Sequence, residues 1–128
     1  MIWKKGKFLD LWTVVHLMWG AIGGVFATLV TPLLGGLVLF ILFLLVSVLW
    51  EIAENVFHIS YEYIGNKVID VVGASLTYGI FYTLFSEVQD STRIYTLILL
   101  GFIFISLNVM GGMARAKDST IEEFDYGK

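Results

Sequence analysis

The strongest constraint on this chain is a run of uncharged, almost wholly apolar residues from Leu33 to Trp50. As a helix rising about 1.5 Å per residue, it crosses most of a hydrocarbon core about 30 Å thick. Runs of the same character precede and follow it, so the expected spans are residues 8–30, 33–57, 66–85 and 94–113, with a solvent-exposed tail at 114–128. In lipid, backbone N–H and C=O groups must be bonded internally, which favours helices for segments of this kind. Composition points the same way. Of 128 residues, 58% are hydrophobic and 15% charged, whereas soluble domains average roughly 45–50% and 25%. A soluble domain this small could not bury so much apolar surface, so its solvent is lipid. The expectation is one all-α domain covering the whole chain, a four-transmembrane-helix bundle.

Several function classes are excluded or disfavoured. A net charge of −3 argues against a nucleic-acid partner. With no cysteine there are no disulfides, thiolate metal sites or cysteine nucleophiles. No Ser-His-Asp arrangement, phosphate loop or zinc spacing appears. The basic residues Lys4, Lys5 and Lys7 precede an apolar run too long for a cleavable signal, so the first run reads as a retained span.

The connections follow from local chemistry. Thr31-Pro32 reads as a very short turn, with Thr31 as N-cap and Pro32 as the first residue of span two. Ser60 to Asn66 is interfacial in character and offers Asn66 as the cap of span three. Ser86 to Arg93 forms the second outer turn. Four spans put both termini on one side, together with Lys4, Lys5, Lys7, Lys67, Arg115, Lys117 and Lys128, and leave Arg93 opposite. By the positive-inside bias, both termini are expected in the cytoplasm, with the protein in the plasma (inner) membrane. Small residues, including Gly20, Gly23, Gly24, Gly73, Ala74, Gly79, Gly101, Gly111 and Gly112, suit close helix packing in lipid.

Functional candidates emerge from depth. Span two ends in Glu51, Glu54, Asn55 and His58, spaced to share one helix face. Counted from the outer turns, His16 and Asp70 each lie about 21 Å down, Asn108 about the same, Glu51 about 27 Å and Glu54 about 32 Å. Every span therefore contributes a polar group to one slab in the cytoplasmic half. Intramembrane charges face a bundle interior and pair. Three carboxylates against one imidazole, with no inward Lys or Arg, leave an excess of negative charge for a proton, a cation or a partner protein to relieve. The candidate pocket is His16, Glu51, Glu54, Asn55, Asp70 and Asn108. Of these, His16, Glu51, Glu54 and Asp70 are adequate ligands for a divalent metal through nitrogen and oxygen. His58 is not counted as a ligand. Bland roles stand beside these: a wet helix end for Glu51 and Glu54, a packing histidine for His16, a dipole-complementing Asp70, and packing for Trp12, Trp19 and Trp50.

The same residues carry a resemblance. His16 with Gly20, then Trp50-Glu51-Ile52-Ala53-Glu54-Asn55, then Asn66, Asp70 and Gly73, resemble a family of small uncharacterised bacterial integral membrane proteins. More distantly they resemble the VanZ-like and YjdF-like membrane proteins. The similarity covers about Asp10 to Gly79, and Trp50 to Asn55 is its most specific part. Trp19 stands where a second histidine is expected, and the polar segment between Asn55 and Asp70 is shorter than the pattern. The resemblance implies a fold and a site, not a reaction.

Three functional expectations stay open. One is an enzyme or binding protein whose pocket holds a cation or lipid-like ligand near the inner leaflet. Another is an accessory subunit whose outer faces meet other membrane subunits or further copies of itself. The last is a small proton- or ion-coupled transporter. The cofactor, beyond the metal considered above, is unknown.

Overall fold

A computed structural model describes residues 11–57 and 64–125, with side chains excepted at Asn55 and 115–125. Lys4, Lys5, Lys7, Phe8, His58 and the start of the 60–66 connection lie outside the described residues, as do the side chains of Arg115 and Lys117. The chain is all-α: α1 (Leu11–Leu34), α2 (Gly36–Val56), α3 (Ile64–Phe85) and α4 (Asp90–Asp125). All four are long and apolar enough to cross a membrane.

The first turn falls later than expected. α1 runs through Thr31-Pro32, and the chain reverses at Gly35, whose φ of 78° is a left-handed conformation that glycine adopts without penalty. Thr31 is not a cap. Its hydroxyl donates to the Ala27 carbonyl at 2.7 Å and lies 3.2 Å from the Tyr82 hydroxyl, from which it can accept. A proline inside a helix leaves the carbonyl four residues back without its usual N–H donor. Here that carbonyl belongs to Thr28, and Arg93 Nη1 donates to it at 3.2 Å. A side chain from α4 thus supplies the donor that Pro32 lacks.

Two other boundaries differ. α3 begins at Ile64, so Asn66 lies within the helix and bonds a side chain instead of capping the helix end. The tail continues α4 as helix to Asp125, so this 36-residue helix is about 54 Å long. That exceeds the hydrocarbon core by about 20 Å or more.

α1 is the hub. It packs against each of the other helices and most extensively against α3, two spans away in sequence. Gly20 and Gly24, one turn apart, make this approach possible. A methyl group at Gly20 would meet the Ala74 carbonyl, and one at Gly24 the Tyr78 carbonyl. Without a hydrophobic drive between helices in lipid, such backbone proximity and dispersion hold the pair. Gly79, Gly101 and Gly112, by contrast, have open space where a side chain would go and serve no such contact. The buried core joins Ala27, Leu39, Phe43, Ala74 and Tyr78. Leu37, Leu49, Leu76, Ile98 and Phe102 are exposed on the outer faces, as lipid contact requires.

Candidate functional site

The site lies at the end of the bundle where α1 and α3 begin and α2 ends. His16 projects from the second turn of α1, Glu51 from the penultimate turn of α2, and Asp70 from the second turn of α3. His16 Nε2 lies 3.6 Å from Glu51 Oε1 and 3.8 Å from Asp70 Oδ2. One ligand atom from each residue falls within 4.8 Å of the others. Asp70 is 0% exposed and Glu51 6%, so both carboxylates are removed from solvent and lipid alike.

Two residues of α3 complete the group. Asn66, also fully buried, donates from Nδ2 to Asp70 Oδ2 at 3.1 Å. The i, i+4 spacing that makes them neighbours is ordinary helix geometry. Lys67 Nζ lies 4.0 Å from Glu51 Oε2 and donates to the Glu51 main-chain carbonyl at 3.5 Å. This overturns the expectation of no inward lysine. The sequence groups Lys67 with the basic residues on the side of the termini, yet its side chain is only 11% exposed. A long aliphatic stem lets a lysine near a helix end direct its ammonium either to the interface or along a neighbouring helix. Here it lies against α2. The negative excess in this group is therefore smaller than the carboxylate count alone implies.

Glu54 and Asn108 do not join the triad. Residues three apart on a helix sit about 60° apart around its axis, so Glu51 turns to α3 while Glu54 turns toward an adjoining cleft. That cleft, about 340 Å³, is bounded by α1, α2 and α4. Trp12, His16 and Trp19 line it from α1, Ser47, Trp50 and Glu54 from α2, and Phe104 and Asn108 from α4. Glu54 is 9% exposed and accepts from Trp50 Nε1 at 3.1 Å. Asn108 donates to the Phe104 carbonyl of its own helix at 2.8 Å. Trp19 donates to Ser47 Oγ at 3.3 Å and stacks on Phe43 with ring centres 5.8 Å apart. The tryptophans expected to serve in packing thus form the wall of a cleft. His16 borders both the triad and the cleft.

Chemically, the triad offers one imidazole nitrogen and two carboxylates, a donor set adequate for a divalent metal or for sharing a proton. No family model matches the chain, and neither a curated protein nor a solved structure gives a significant match.

Proposed function

We propose that this is a multi-pass plasma-membrane protein, termini cytoplasmic, whose His16, Glu51 and Asp70 bind a cation in the inner half of the bilayer. The observation that carries this reading is the meeting of three ionisable side chains from three helices, with ligand atoms within 4.8 Å. Charge counting supports it. With His16 neutral, Glu51, Asp70 and Lys67 sum to one negative charge. A charged side chain in a membrane interior costs about 2.5–3.5 kcal/mol on insertion scales. One added positive charge makes the group neutral, whether a proton on His16 or a monovalent ion between the carboxylates. A divalent ion would take His16 Nε2 and one oxygen from each acid, and Lys67 would then have to withdraw or lose its proton.

The test uses protein purified in mild detergent, stripped with chelator and titrated with zinc or manganese, with metal content read by elemental analysis. Proton uptake is measured in parallel with a soluble pH dye. Saturable uptake of metal or proton that is lost in Asp70→Asn is the expected result. No metal, together with unchanged proton uptake and thermal stability in Asp70→Asn and Glu51→Gln, overturns the reading.

A second reading, an accessory subunit in a larger membrane complex, has one observation in its favour. α4 packs chiefly on α1, and little of its membrane-crossing length is buried. Recovery of a clean monomer after mild solubilisation counts against it.

A further inference from the structure

We propose that the cleft between α1, α2 and α4 is a water-filled vestibule, through which a hydrated cation reaches the triad past His16. The delivery of a cation rests on the reading of the triad given above, whereas the filling of the cleft by water does not.

The position of His16 carries the argument. Asp70 is fully buried and Glu51 nearly so, and His16 is the one member of the triad that also lines the cleft. Its Nε2 faces the two carboxylates. Among the described residues no protein group bonds its Nδ1. A histidine that meets a metal through one nitrogen ordinarily has a hydrogen-bond partner at the other. With the His16 side chain 15% exposed at the edge of a cleft, water can be that partner.

The other walls offer water further partners. On α4, Asn108 gives one N–H to the Phe104 carbonyl, which leaves its amide oxygen and second N–H for a molecule in the cleft. On α2, Ser47 Oγ has one lone pair beyond its bonds to Trp19 and the Phe43 carbonyl. Hydrogen-bonding capacity thus comes from all three helices that bound the space. A buried water takes two to four polar partners and about 10–15 Å³, so a cleft of about 340 Å³ has room for several. A lipid chain in the same space would leave those groups unmet. The route to bulk water is short. The cleft reaches Trp12, the second residue of α1, and Trp50 in the last two turns of α2. Tryptophan favours the membrane–water boundary, and these two rings mark the mouth.

The chain has no cysteine, so single cysteines can report on water. Val46 and its neighbour Leu45 are 51% and 54% exposed, yet Val46 lines the cleft and Leu45 does not. Asn108 and its neighbour Val109 make a second such pair. The four variants Val46→Cys, Leu45→Cys, Asn108→Cys and Val109→Cys are placed in phosphatidylcholine nanodiscs. Each is treated with methanethiosulfonate ethyltrimethylammonium, a reagent confined to water. A thiol facing hydrocarbon stays protonated and unreactive, so the cleft member of each pair should react about tenfold faster or more. Equal rates within both pairs overturn the vestibule. Should one variant fail to fold, the other pair decides. In a second arm, labelled Asn108→Cys is mixed with zinc, and slower uptake to an unchanged final content is expected. An unchanged rate overturns the cleft as the route. Thiol reactivity does not depend on ion binding, so absence of zinc uptake by the natural chain counts against the triad reading and leaves the vestibule to be judged by the thiols.

Discussion

The two ends of the bundle each hold a largely covered basic side chain, and they use it in opposite ways. At the turn end, Arg93 donates to the Thr28 carbonyl at 3.2 Å and to the Ser86 carbonyl at 2.6 Å, and pairs with the exposed Asp90 at 3.1 Å. Its partners are mostly backbone oxygens, and it ties α1 to the loop between α3 and α4. At the other end, Lys67 stands beside Glu51 in a group that holds a second carboxylate and an imidazole. Those charges come from three helices and do not sum to zero with His16 neutral. The turn end spends its polar groups on closing the fold. The opposite end gathers its ionisable groups from three helices into one cluster, the arrangement that a cation or a proton would need.

The contrast can be broken first at Lys67. Replacing it by Met leaves two buried carboxylates beside the imidazole, and removing one member of a buried pair costs about 3–5 kcal/mol. A large drop in the thermal midpoint of the detergent-purified protein is expected, with partial recovery in Lys67→Met/Glu51→Gln. No recovery would mean that Lys67 stabilises through its stem and not its charge.

Arg93 is expected to matter less. Arg93→Met removes charged hydrogen bonds worth about 1.5–3 kcal/mol. The sharper version pairs it with Pro32→Ala, which restores an N–H able to reach the Thr28 carbonyl. The double variant should recover about 1 kcal/mol relative to the additive sum. Strict additivity in a double-mutant cycle would show that Arg93 is not standing in for the missing donor.

The smallest effect is expected at Asn108, whose side chain bonds its own helix. Asn108→Leu should change stability by no more than about 0.5 kcal/mol, measured by the same thermal assay. A larger loss would mean that Asn108 ties α4 to its neighbours and is part of the fold, as Arg93 is.

The spans were legible because long, predominantly apolar stretches, most plainly Leu33 to Trp50, leave a chain few options in lipid. The convergence of His16, Glu51 and Asp70 was legible because depth in a bilayer follows from counting residues from the turns. What could not be read depended on partners distant in sequence. Pro32 looks like a helix start in isolation, and the donor that answers the Thr28 carbonyl within α1 comes from Arg93, 65 residues from Thr28. Lys67 looks interfacial until the path of α2 beside it is known. Glu54 shares a helix stripe with Glu51, but an angle of about 60° is enough to send them to different neighbours. The cleft itself required knowing that α2 and α4 stand apart.

The preference of α1 for α3 over α2 has a consequence for biogenesis. As the chain leaves the ribosome, the first two helices enter the bilayer with few contacts between them. Gly20 and Gly24 then wait, uncovered, for a surface that has not yet been synthesised. Arrival of the third helix brings Ala74 and Tyr78 to those glycines and, in the same event, Asp70 and Lys67 to His16 and Glu51. Docking of α3 on α1 and completion of the charged group therefore share one interface, so neither can be disturbed without the other.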